Sequence, residues 1–309
     1  MPRVPLDAAR LAELLSCNCQ LVVKDRVGST NDEAFAYAQR GASPDFWARP
    51  LVVVSAEQTA GRGRLGRTWV SPPGGIYLSI LLDSGSARGR EHSLSPLAAL
   101  ATRVALDKLT SDELLIKWPN DIVSTRGKLA GILVESKRVP VQEVPVQGAL
   151  PQGALFTQEV PAARGASQGA SVTQPRRSTA PSSALIVGIG VNVNCPGAGG
   201  FETAAYLNDG ADGVLPLEDV AAAIIDRFFR YHTDWLAADG SFAPFMDEYA
   251  GHMALMRERV CVRDATGAEV AGGIVEGIDA SAQLLLRGPS AMVAVAAGEV
   301  TLRDNLDGI

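Results

Sequence analysis

A short segment at residues 61–69 concentrates glycine, arginine and tryptophan more densely than any other stretch of the chain. Its arginines are Arg62, Arg64 and Arg67, and its glycines are Gly61, Gly63 and Gly66. Guanidinium groups bind phosphate and carboxylate through paired hydrogen bonds, and glycine lets the backbone approach a ligand closely. The segment therefore predicts an anion-binding loop, with a solvated basic loop as the alternative.

The same glycines satisfy the G-x-G-x-x-G pattern of dinucleotide-binding folds. In those folds the pattern opens an apolar helix whose N-terminus meets the pyrophosphate. Here a turn and an apolar run at 75–82 follow instead, so the sequence argues against a dinucleotide fold.

Two further motifs place charge at the ends of apolar runs. In Lys117-Trp-Pro-Asn120-Asp121, the proline breaks a strand, so the Asn and Asp are expected in a turn. A carboxylate there suits Mg²⁺, which takes few protein oxygens together with substrate phosphates, and a solvated Asx turn is the alternative. Lys128 opens the apolar run 129–136, where it can direct a charge into a site or extend into solvent as an edge lysine.

A fourth motif, at 188–194, ends with two asparagines, Asn192 and Asn194, that are one strand period apart. Side chains two residues apart on a strand share a face. Because Asn offers both a donor and an acceptor, we expect this pair to suit a purine edge or a ribose.

Local sequence patterns predict the elements that must position these motifs. Runs rich in β-branched residues predict strands at 20–27, 51–55, 75–82, 114–118, 122–123, 129–136 and 184–193. Helical spacing predicts helices at 7–16, 28–41, 95–109, 217–236 and 242–249. The expected helix signals are a cap at Asp7, a capping box from Thr30 to Glu33, a stop at Gly41 and a cap at Ser95.

Beyond about residue 255, short apolar runs are separated by glycine-containing turns, which is the rhythm of a small all-β barrel of about five strands. We therefore predict a large domain at 1–255 and a β domain at 256–309. The segment 139–183 interrupts the large domain, and more than half of it is Pro, Gly, Ser, Thr or Gln. That composition predicts a flexible insertion between two core strands, with a Pro-rich partner-docking arm as the alternative.

Length, charge and cysteine content exclude several classes of protein. The chain has 309 residues and a net charge of −6, which disfavours non-specific nucleic-acid binding. Because no run approaches the roughly 20 apolar residues of a membrane helix and no signal-peptide pattern opens the chain, we expect a soluble cytoplasmic protein. Four cysteines do not make a disulfide framework, and Cys17 and Cys19 lack the partners of a zinc site, so small buried thiols are expected.

Together these motifs resemble the biotin–protein ligases in order and approximate spacing, from about residue 25 to 303. They are Gly28-Ser-Thr-Asn31, Gln58-x-x-Gly-Arg-Gly-Arg-x-Gly-Arg-x-Trp69, Lys117-Trp-Pro-Asn-Asp121, Lys128-Leu-Ala-Gly-Ile-Leu-Val-Glu135, Gly188-Ile-Gly-Val-Asn-Val-Asn194 and Gly298-Glu-Val-Thr-Leu-Arg303. The resemblance implies an α+β fold with a central mixed sheet backed by helices, related to the class II aminoacyl-tRNA synthetases, and a C-terminal SH3-like β-barrel.

The resemblance also implies an activity, that of a biotin–[acetyl-CoA-carboxylase] ligase. Biotin and ATP, with Mg²⁺, would be condensed to biotinyl-5′-AMP, and biotin would then pass to a lysine of a biotin carrier domain of acetyl-CoA carboxylase or a related carboxylase. By the same resemblance Lys128, Arg64 and Arg62 are catalytic and Asp121 serves Mg²⁺. The implied biotin-binding residues are Ser29, Thr30, Asn31, Gln58, Arg62, Gly63, Arg64 and Lys128. The implied ATP-binding residues are Arg64, Arg67, Trp69, Lys117, Asn120 and Asn192.

Family members that also bind an operator carry a winged-helix domain before the catalytic core. Only about 25 residues precede Ser29 here, so we expect a ligase without DNA binding and without a membrane partner. A homodimer is one assembly that the sequence leaves open.

Two other classes of function are weighed against this one. A lipoate or octanoate transferase has a related fold, but the loop at 61–69 and the C-terminal barrel favour biotin. A non-enzymatic nucleotide- or RNA-binding protein is disfavoured by the acidic charge and by the lack of interleaved aromatic and basic residues at 257–303.

Replacing residues 139–183 by a short Gly-Asn turn is expected to leave adenylate formation intact, because a hairpin can join the flanking strands. The measurement is biotinyl-AMP formation by the deletion variant and by the full chain. Lost activity in a deletion variant that still unfolds cooperatively would give the segment a direct role.

Overall fold

The computed structural model describes residues 5–40, 44–87, 89–139, 183–195, 204–209 and 213–302. Its helices are α1 (Ala8–Leu14), α2 (Thr30–Arg40), α3 (Pro44–Trp47), α4 (Leu94–Leu106), α5 (Leu217–Ala237) and α6 (Met246–Gly251). Its strands are β1 (Gln20–Lys24), β2 (Leu51–Ser55), β3 (Gly75–Asp83), β4 (Leu115–Lys117), β5 (Asp121–Ser124), β6 (Gly127–Arg138), β7 (Ser183–Asn192), β8 (Arg259–Arg263), β9 (Glu269–Ile278), β10 (Leu284–Arg287), β11 (Met292–Val295) and β12 (Glu299–Leu302). Within these ranges, no helix has both the length and the apolar character needed to cross a membrane.

Seven strands form the predicted mixed sheet, in the order β1-β2-β3-β7-β6-β5-β4. β1 runs parallel to β2, and every other pair of neighbours in this sheet is antiparallel. The predicted strands are confirmed, and β6 is longer than expected because it starts at Gly127 and continues to Arg138. Lys128 therefore lies within a strand rather than before one.

Helices cover both faces of this sheet, which is why its central strands lack the alternation of a half-exposed strand. In β2 every residue is buried: Leu51 and Val53 pack with α2, whereas Val52 and Val54 join the core beneath α4 and α5. On β7 the face towards α2 carries Ala184 and Ile186, followed by Gly188 and Gly190 instead of larger residues.

Two predicted helix starts are wrong. Thr30 is the first residue of α2, where the N–H of Glu33 donates to the carbonyl of Ser29 at 3.0 Å. The Thr30 hydroxyl bonds to Gln58 instead of closing a capping box. Because the Thr30 hydroxyl donates to the remote residue Gln58, it does not cap the N-terminus of α2. The predicted stop at Gly41 lies outside the described residues.

α4 begins at Leu94, so Ser95 is its second residue and not its cap. Ser93 occupies the cap position. Its hydroxyl donates to the carbonyl of Arg90 and accepts from the indole N–H of Trp235. The cap at Asp7 is confirmed, since its carboxylate accepts from the N–H of Arg10 at 3.0 Å. The single helix expected at 242–249 is a 3₁₀ turn at 243–245 followed by α6.

Five antiparallel strands near the C-terminus form a second sheet, in the order β11-β10-β9-β8-β12. This agrees with the SH3-like region that was expected. Its buried residues, among them Val260 and Leu284, belong to the same hydrophobic cluster as the core under the central sheet. The indole N–H of Trp118 also donates to the carbonyl of Ala282 at 3.0 Å. The domain boundary near 255 stays a prediction, and 140–182 of the predicted insertion lies outside the described residues.

A buried arginine on α4 holds the start of the strand that carries Lys117. Arg103 is 8% exposed, and its Nε donates to the carbonyl of Leu114 at 3.0 Å. Its guanidinium also meets His252 Nε2 at 3.1 Å and the carboxylate of Asp107 at 2.8 Å. The residue thus joins α4, β4 and the segment after α6 at one point.

Arg103→Met is expected to destabilise the protein by about 1–3 kcal/mol, because buried acceptors lose their donor. Urea unfolding of the variant measures this change in free energy. Arg126→Met is the control, because its ion pair with Asp112 involves a half-exposed guanidinium and should contribute at most about 1 kcal/mol. Equal effects of the two substitutions would contradict the anchoring role of Arg103.

Candidate active site

The loop at 61–69 crosses the α2 face of the central sheet and bounds a cavity that opens to solvent. All predicted site residues except Asn192 line it. They are Ser29, Thr30, Asn31, Gln58, Arg62, Gly63, Arg64, Arg67, Trp69, Lys117, Asn120, Asp121 and Lys128. Residues from the C-terminal sheet, Gly298 to Val300, complete the wall. Motifs that are far apart in the sequence therefore meet at one concave site, the usual form of a ligand pocket.

The loop is closed by its own backbone. The N–H of Trp69 donates to the carbonyl of Gly61 at 2.9 Å, and the N–H of Gly63 donates to the carbonyl of Arg67 at 2.7 Å. A side chain on Gly61 would place its Cβ 2.5 Å from the Trp69 carbonyl oxygen, so only glycine fits at the base of the loop. The tip reverses through Gly66, whose φ of +74° also favours glycine.

Glycines on β6 and β7 form the floor of the cavity. A Cβ on Gly188 would lie 2.3 Å from Asn31 Oδ1, and a Cβ on Gly190 would lie 2.8 Å from Trp69 Nε1. Gly131 pairs with Gly190 across the two strands, and its Cβ would lie 3.0 Å from the Trp69 ring. Bare backbone thus lets Asn31 and the indole lie directly on the sheet.

One end of the cavity is lined by neutral polar groups. Gln58 Oε1 accepts from the backbone N–H of Thr30 at 2.9 Å and from its hydroxyl at 3.1 Å. The hydroxyl of Ser79 on β3 lies 2.7 Å from Thr30 Oγ1 and 2.6 Å from Asn31 Oδ1. The Asn31 amide donates to Glu135 Oε2 at 2.7 Å. These bonds fix the rotamers of groups that offer both donors and acceptors to a ligand.

Arg62 is held between two carboxylates that sequence analysis did not single out. It donates to Asp32 Oδ1 at 2.8 Å and to Glu135 Oε2 at 3.1 Å. Lys137, two residues after Glu135 on β6, lies 3.2 Å from Asp32. The hydrogen bond that Arg62 donates to Asp32 lowers the pKa of Asp32 and raises the pKa of Arg62, so both groups are charged at neutral pH.

Arg64 and Arg67 connect the loop to the C-terminal sheet. Arg64 donates to Asn120 Oδ1 at 2.9 Å and to the carbonyl of Gly298 at 3.3 Å, and burial lowers its pKa. Arg67 makes a bidentate ion pair with Glu299 at 2.7 and 2.6 Å, and its hydrogen bond lowers the pKa of Glu299. The second sheet therefore takes part in building the site.

The opposite wall carries Lys128 and Asp121. Lys128 Nζ lies 2.8 Å from Asp121 Oδ1 and 5.1 Å from the centroid of the Trp69 ring, within range of a cation–π contact. Asp121 opens β5, whereas Asn120 occupies the turn before it, so the expected turn holds only one of the two residues. Lys117 ends β4 beside them.

The two asparagines of the 188–194 motif have separate roles in the structure. Asn192 does not line the cavity, and its amide donates to the carbonyl of Lys128 at 3.2 Å. Asn194 lies beyond the end of β7 and exchanges two hydrogen bonds of 2.9 Å with the backbone of Leu215. The expectation of one shared ligand-facing pair is therefore wrong for Asn194, because the strand ends before it.

Sequence reasoning missed the residues that orient the cations. Glu135 and Lys137 were detectable, since both follow Leu133 at strand spacing and Leu133 lines the cavity. Asp32 and Glu299 gave no signal, because their partners Arg62 and Arg67 are remote from them along the chain.

Taken together, the cavity has a neutral polar end and a cationic end beside an aromatic ring. Such a site suits a ligand that carries an uncharged hydrogen-bonding head and reacts through anionic groups. No group of three or more metal-ligating side chains occurs among the residues with assigned positions. The carboxylate of Asp121, which pairs with Lys128, suits a cation that is held mostly by the oxygens of a substrate, whereas Glu299 is paired with Arg67.

Comparisons with known proteins identify the family of this chain. The model of the biotin/lipoate A/B protein ligase family matches residues 23–149. A biotin–[acetyl-CoA-carboxylase] ligase of Paracoccus denitrificans is 32% identical over 282 residues, which cover 89% of this chain and 97% of that protein. A Mycobacterium tuberculosis protein of the same name is 37% identical over 43% of this chain and 52% of its own length.

A solved structure shares the fold. The biotin protein ligase of Aquifex aeolicus, in complex with biotin and ATP, matches with a TM-score of 0.64 and 22% identity, over 92% of this chain and 98% of that one. The family model and the relative from Paracoccus denitrificans show that the chain is a ligase of the biotin/lipoate class. Within that class, the chain belongs to the biotin protein ligase family.

Glu299→Gln is expected to speed tryptic cleavage after Arg64 and Arg67, because it removes the ion pair that ties the loop to β12. An exposed pair contributes about 0.2–1 kcal/mol, so the increase should be at most about fivefold. The rates of appearance of the two peptides measure it. Glu276→Gln, which breaks the Arg287 pair of the same sheet, is the matched control and should leave both rates unchanged. Identical rates in the two variants would rule out the tether.

Proposed function

We propose that this protein activates biotin with ATP to biotinyl-5′-AMP and transfers the biotin to a lysine of a biotin carrier domain. One observation carries the proposal: the motifs containing Asn31, Gln58, Arg64, Lys117 and Lys128 meet around one cavity. Membership of the biotin protein ligase family supports the same reaction. An acetyl-CoA carboxylase or a related carboxylase is the proposed source of the carrier domain.

Biotin is assigned to the neutral end of the cavity. Its ureido head offers one carbonyl and two N–H groups, and Thr30, Asn31 and Gln58 present matching donors and acceptors there. Ser29 lies on the same wall and is 4% exposed. The carboxylate of the ligand would then point towards Arg62, Gly63, Arg64 and Lys128.

ATP is assigned to the cationic end. Trp69 offers a ring against which adenine can stack, and Lys117, Asn120, Arg64 and Arg67 face the phosphates. Asn192 supports this end through the backbone of Lys128. Mg²⁺ would neutralise phosphate charge there, with Asp121 as its protein ligand beside phosphate oxygens.

The chemistry follows from this arrangement. An oxygen of the biotin carboxylate attacks the α-phosphorus of ATP, and the bond to pyrophosphate breaks. Both reactants are anions, so the cations of Arg62, Arg64 and Lys128 lower their repulsion and stabilise the charge of the pentacoordinate phosphorus. The amine of the carrier lysine then attacks the acyl carbon, and AMP leaves. The histidines His92, His232 and His252 lie outside the cavity, and this route needs none of them.

The proposal also covers the location, partners, assembly and domains of the protein. We place the protein in the cytoplasm, expect no DNA or membrane partner, and include a homodimer among its assemblies. The large domain at 1–255 would supply the substrate sites, and the β domain at 256–309 would close them from one side through Glu299.

Release of AMP and pyrophosphate from ATP tests the reaction. We expect both products with biotin and a carrier domain, and neither with lipoate in place of biotin. Product formation with lipoate but not with biotin would assign the chain to the lipoate branch. Absence of turnover with either acid would leave a nucleotide-binding protein.

Lys128→Ala is expected to lower the rate of adenylate formation about 10²–10³-fold, since one electrostatic stabiliser of the transition state is removed. Biotin binding, measured by calorimetry, should weaken much less. Lys108→Ala, an exposed lysine beyond the end of α4, is the control and should match the wild type. A variant at Lys128 that keeps its turnover and loses only biotin affinity would make this lysine a binding residue.

Two alanine substitutions on β7 should separate the ends of the site. Gly188→Ala displaces Asn31 and should raise the KM for biotin roughly tenfold, the effect of about 1.4 kcal/mol. Gly190→Ala displaces Trp69 and should raise the KM for ATP instead. Steady-state kinetics in both substrates measure this, with Gly251→Ala as a control because its Cβ meets open space. Equal changes in both constants for both variants would contradict the division of the cavity.

A further inference from the structure

A pair of cysteines lies outside the active site, in the loop that joins α1 to β1. The Sγ atoms of Cys17 and Cys19 are 3.8 Å apart, and the Cys17 thiol donates to the Cys19 sulfur. Both side chains are partly exposed, whereas Cys261 is buried and contacts the Thr301 hydroxyl at 3.1 Å. The expectation of small buried thiols is therefore confirmed for Cys261 and wrong for Cys17, Cys19 and Cys195, which are partly exposed.

The backbone at the start of this loop is hydrogen-bonded to α5, and the loop has no regular secondary structure. Asp226 on α5 accepts hydrogen bonds of 3.1 Å from the N–H groups of Ser16 and Cys17. Residues 15–19 belong to neither helix nor strand, so no ladder of hydrogen bonds opposes a change there. A disulfide requires an S–S distance of about 2.05 Å, so the two Sγ atoms, now 3.8 Å apart, have to approach each other before the bond can form.

We propose that Cys17 and Cys19 form a reversible redox site whose oxidant is a low-molecular-weight disulfide such as glutathione disulfide. The Cys19 thiolate attacks one sulfur of the oxidant, an S–S bond to glutathione forms, and a glutathione thiolate leaves. Cys17 loses its proton to solvent and attacks Cys19 Sγ, and the second glutathione leaves. The chain gives up two electrons and two protons, and the oxidant becomes two glutathione molecules.

The order of attack follows from the surroundings of each thiol. The hydrogen bond from Cys17 lowers the pKa of Cys19, and the positive charge of Arg49 acts in the same direction. The bond to Cys19, burial and the charge of Asp226 raise the pKa of Cys17. Because the thiolate is the attacking species, Cys19 reacts first and Cys17 resolves the intermediate.

This disulfide belongs to the labile class. It closes a ring of only three residues, so it removes little entropy from the unfolded chain. Disulfides that are strained or exposed have higher reduction potentials than structural ones and are the regulatory type. The site therefore responds to the ratio of oxidised to reduced glutathione and does not stabilise the fold.

Titration of the full-length chain with glutathione buffers tests the proposal. After equilibration the thiols are alkylated, and the chain is digested with trypsin. Cleavage after Arg10 and Lys24 releases one peptide that contains Cys17 and Cys19 and no other cysteine. We expect this peptide to pass from two alkyl groups to none as the buffer becomes oxidising, and to lose the mass of two hydrogen atoms. A peptide that stays doubly alkylated at every ratio would overturn the proposal.

Single variants test the order of the steps. Cys17→Ser should retain glutathione on Cys19 as a mixed disulfide, and Cys19→Ser should react about tenfold more slowly, since the more acidic thiol is gone. Cys195→Ser is the matched control and should leave oxidation of the pair unchanged. Faster glutathione uptake by Cys17 than by Cys19 would overturn the assigned order.

Discussion

The missing side chains of Gly131, Gly188 and Gly190 are the constraint on which the rest of the site depends. Helix α2 and the loop at 61–69 can lie on the central sheet only because these positions hold bare backbone; a single methyl group at Gly188 would approach the Asn31 amide oxygen to 2.3 Å. Larger residues at these positions would fill, with their own side chains, the space on this face of the sheet that α2 leaves uncovered. The cavity therefore exists because these strand positions lack side chains, and the loop that carries Trp69 covers it.

Electrostatic contacts then decide where the cations of the loop point. Arg62 is oriented by carboxylates on α2 and β6, Arg67 by Glu299 on β12, and Arg64 by Asn120 and a backbone carbonyl. The Arg67–Glu299 pair has side chains that are 64% and 36% exposed, so it contributes little to the free energy of unfolding. Its effect is positional. In the proposed reaction, an anionic substrate would have to compete with Asp32 and Glu135 for Arg62.

Local sequence patterns were sufficient to predict which segments form helices and strands, but not where the helices begin. The strands, the long helix α5 and the rhythm of the C-terminal sheet follow from periodicity and β-branched runs, which reflect burial on the scale of one element. The capping box at Thr30 was wrong because its hydroxyl is hydrogen-bonded to the remote residues Gln58 and Ser79, and the cap at Ser95 was wrong because α4 already begins at Leu94. The paired role of Asn192 and Asn194 was wrong because the strand ends between them.

The sequence by itself determined the chemistry that is available: a glycine loop with three arginines, the amines of Lys117 and Lys128, the carboxylate of Asp121, and the family that these motifs resemble. Those features are local and can be read from the order of residues. Only the tertiary structure decided which groups face one another. Asp32, Glu135 and Glu299 meet their arginines across 30, 73 and 232 positions of the chain, and Cys17 and Cys19 gain a carboxylate from α5. Electrostatic and hydrogen-bond energies depend on distance in space, which the order of residues does not give.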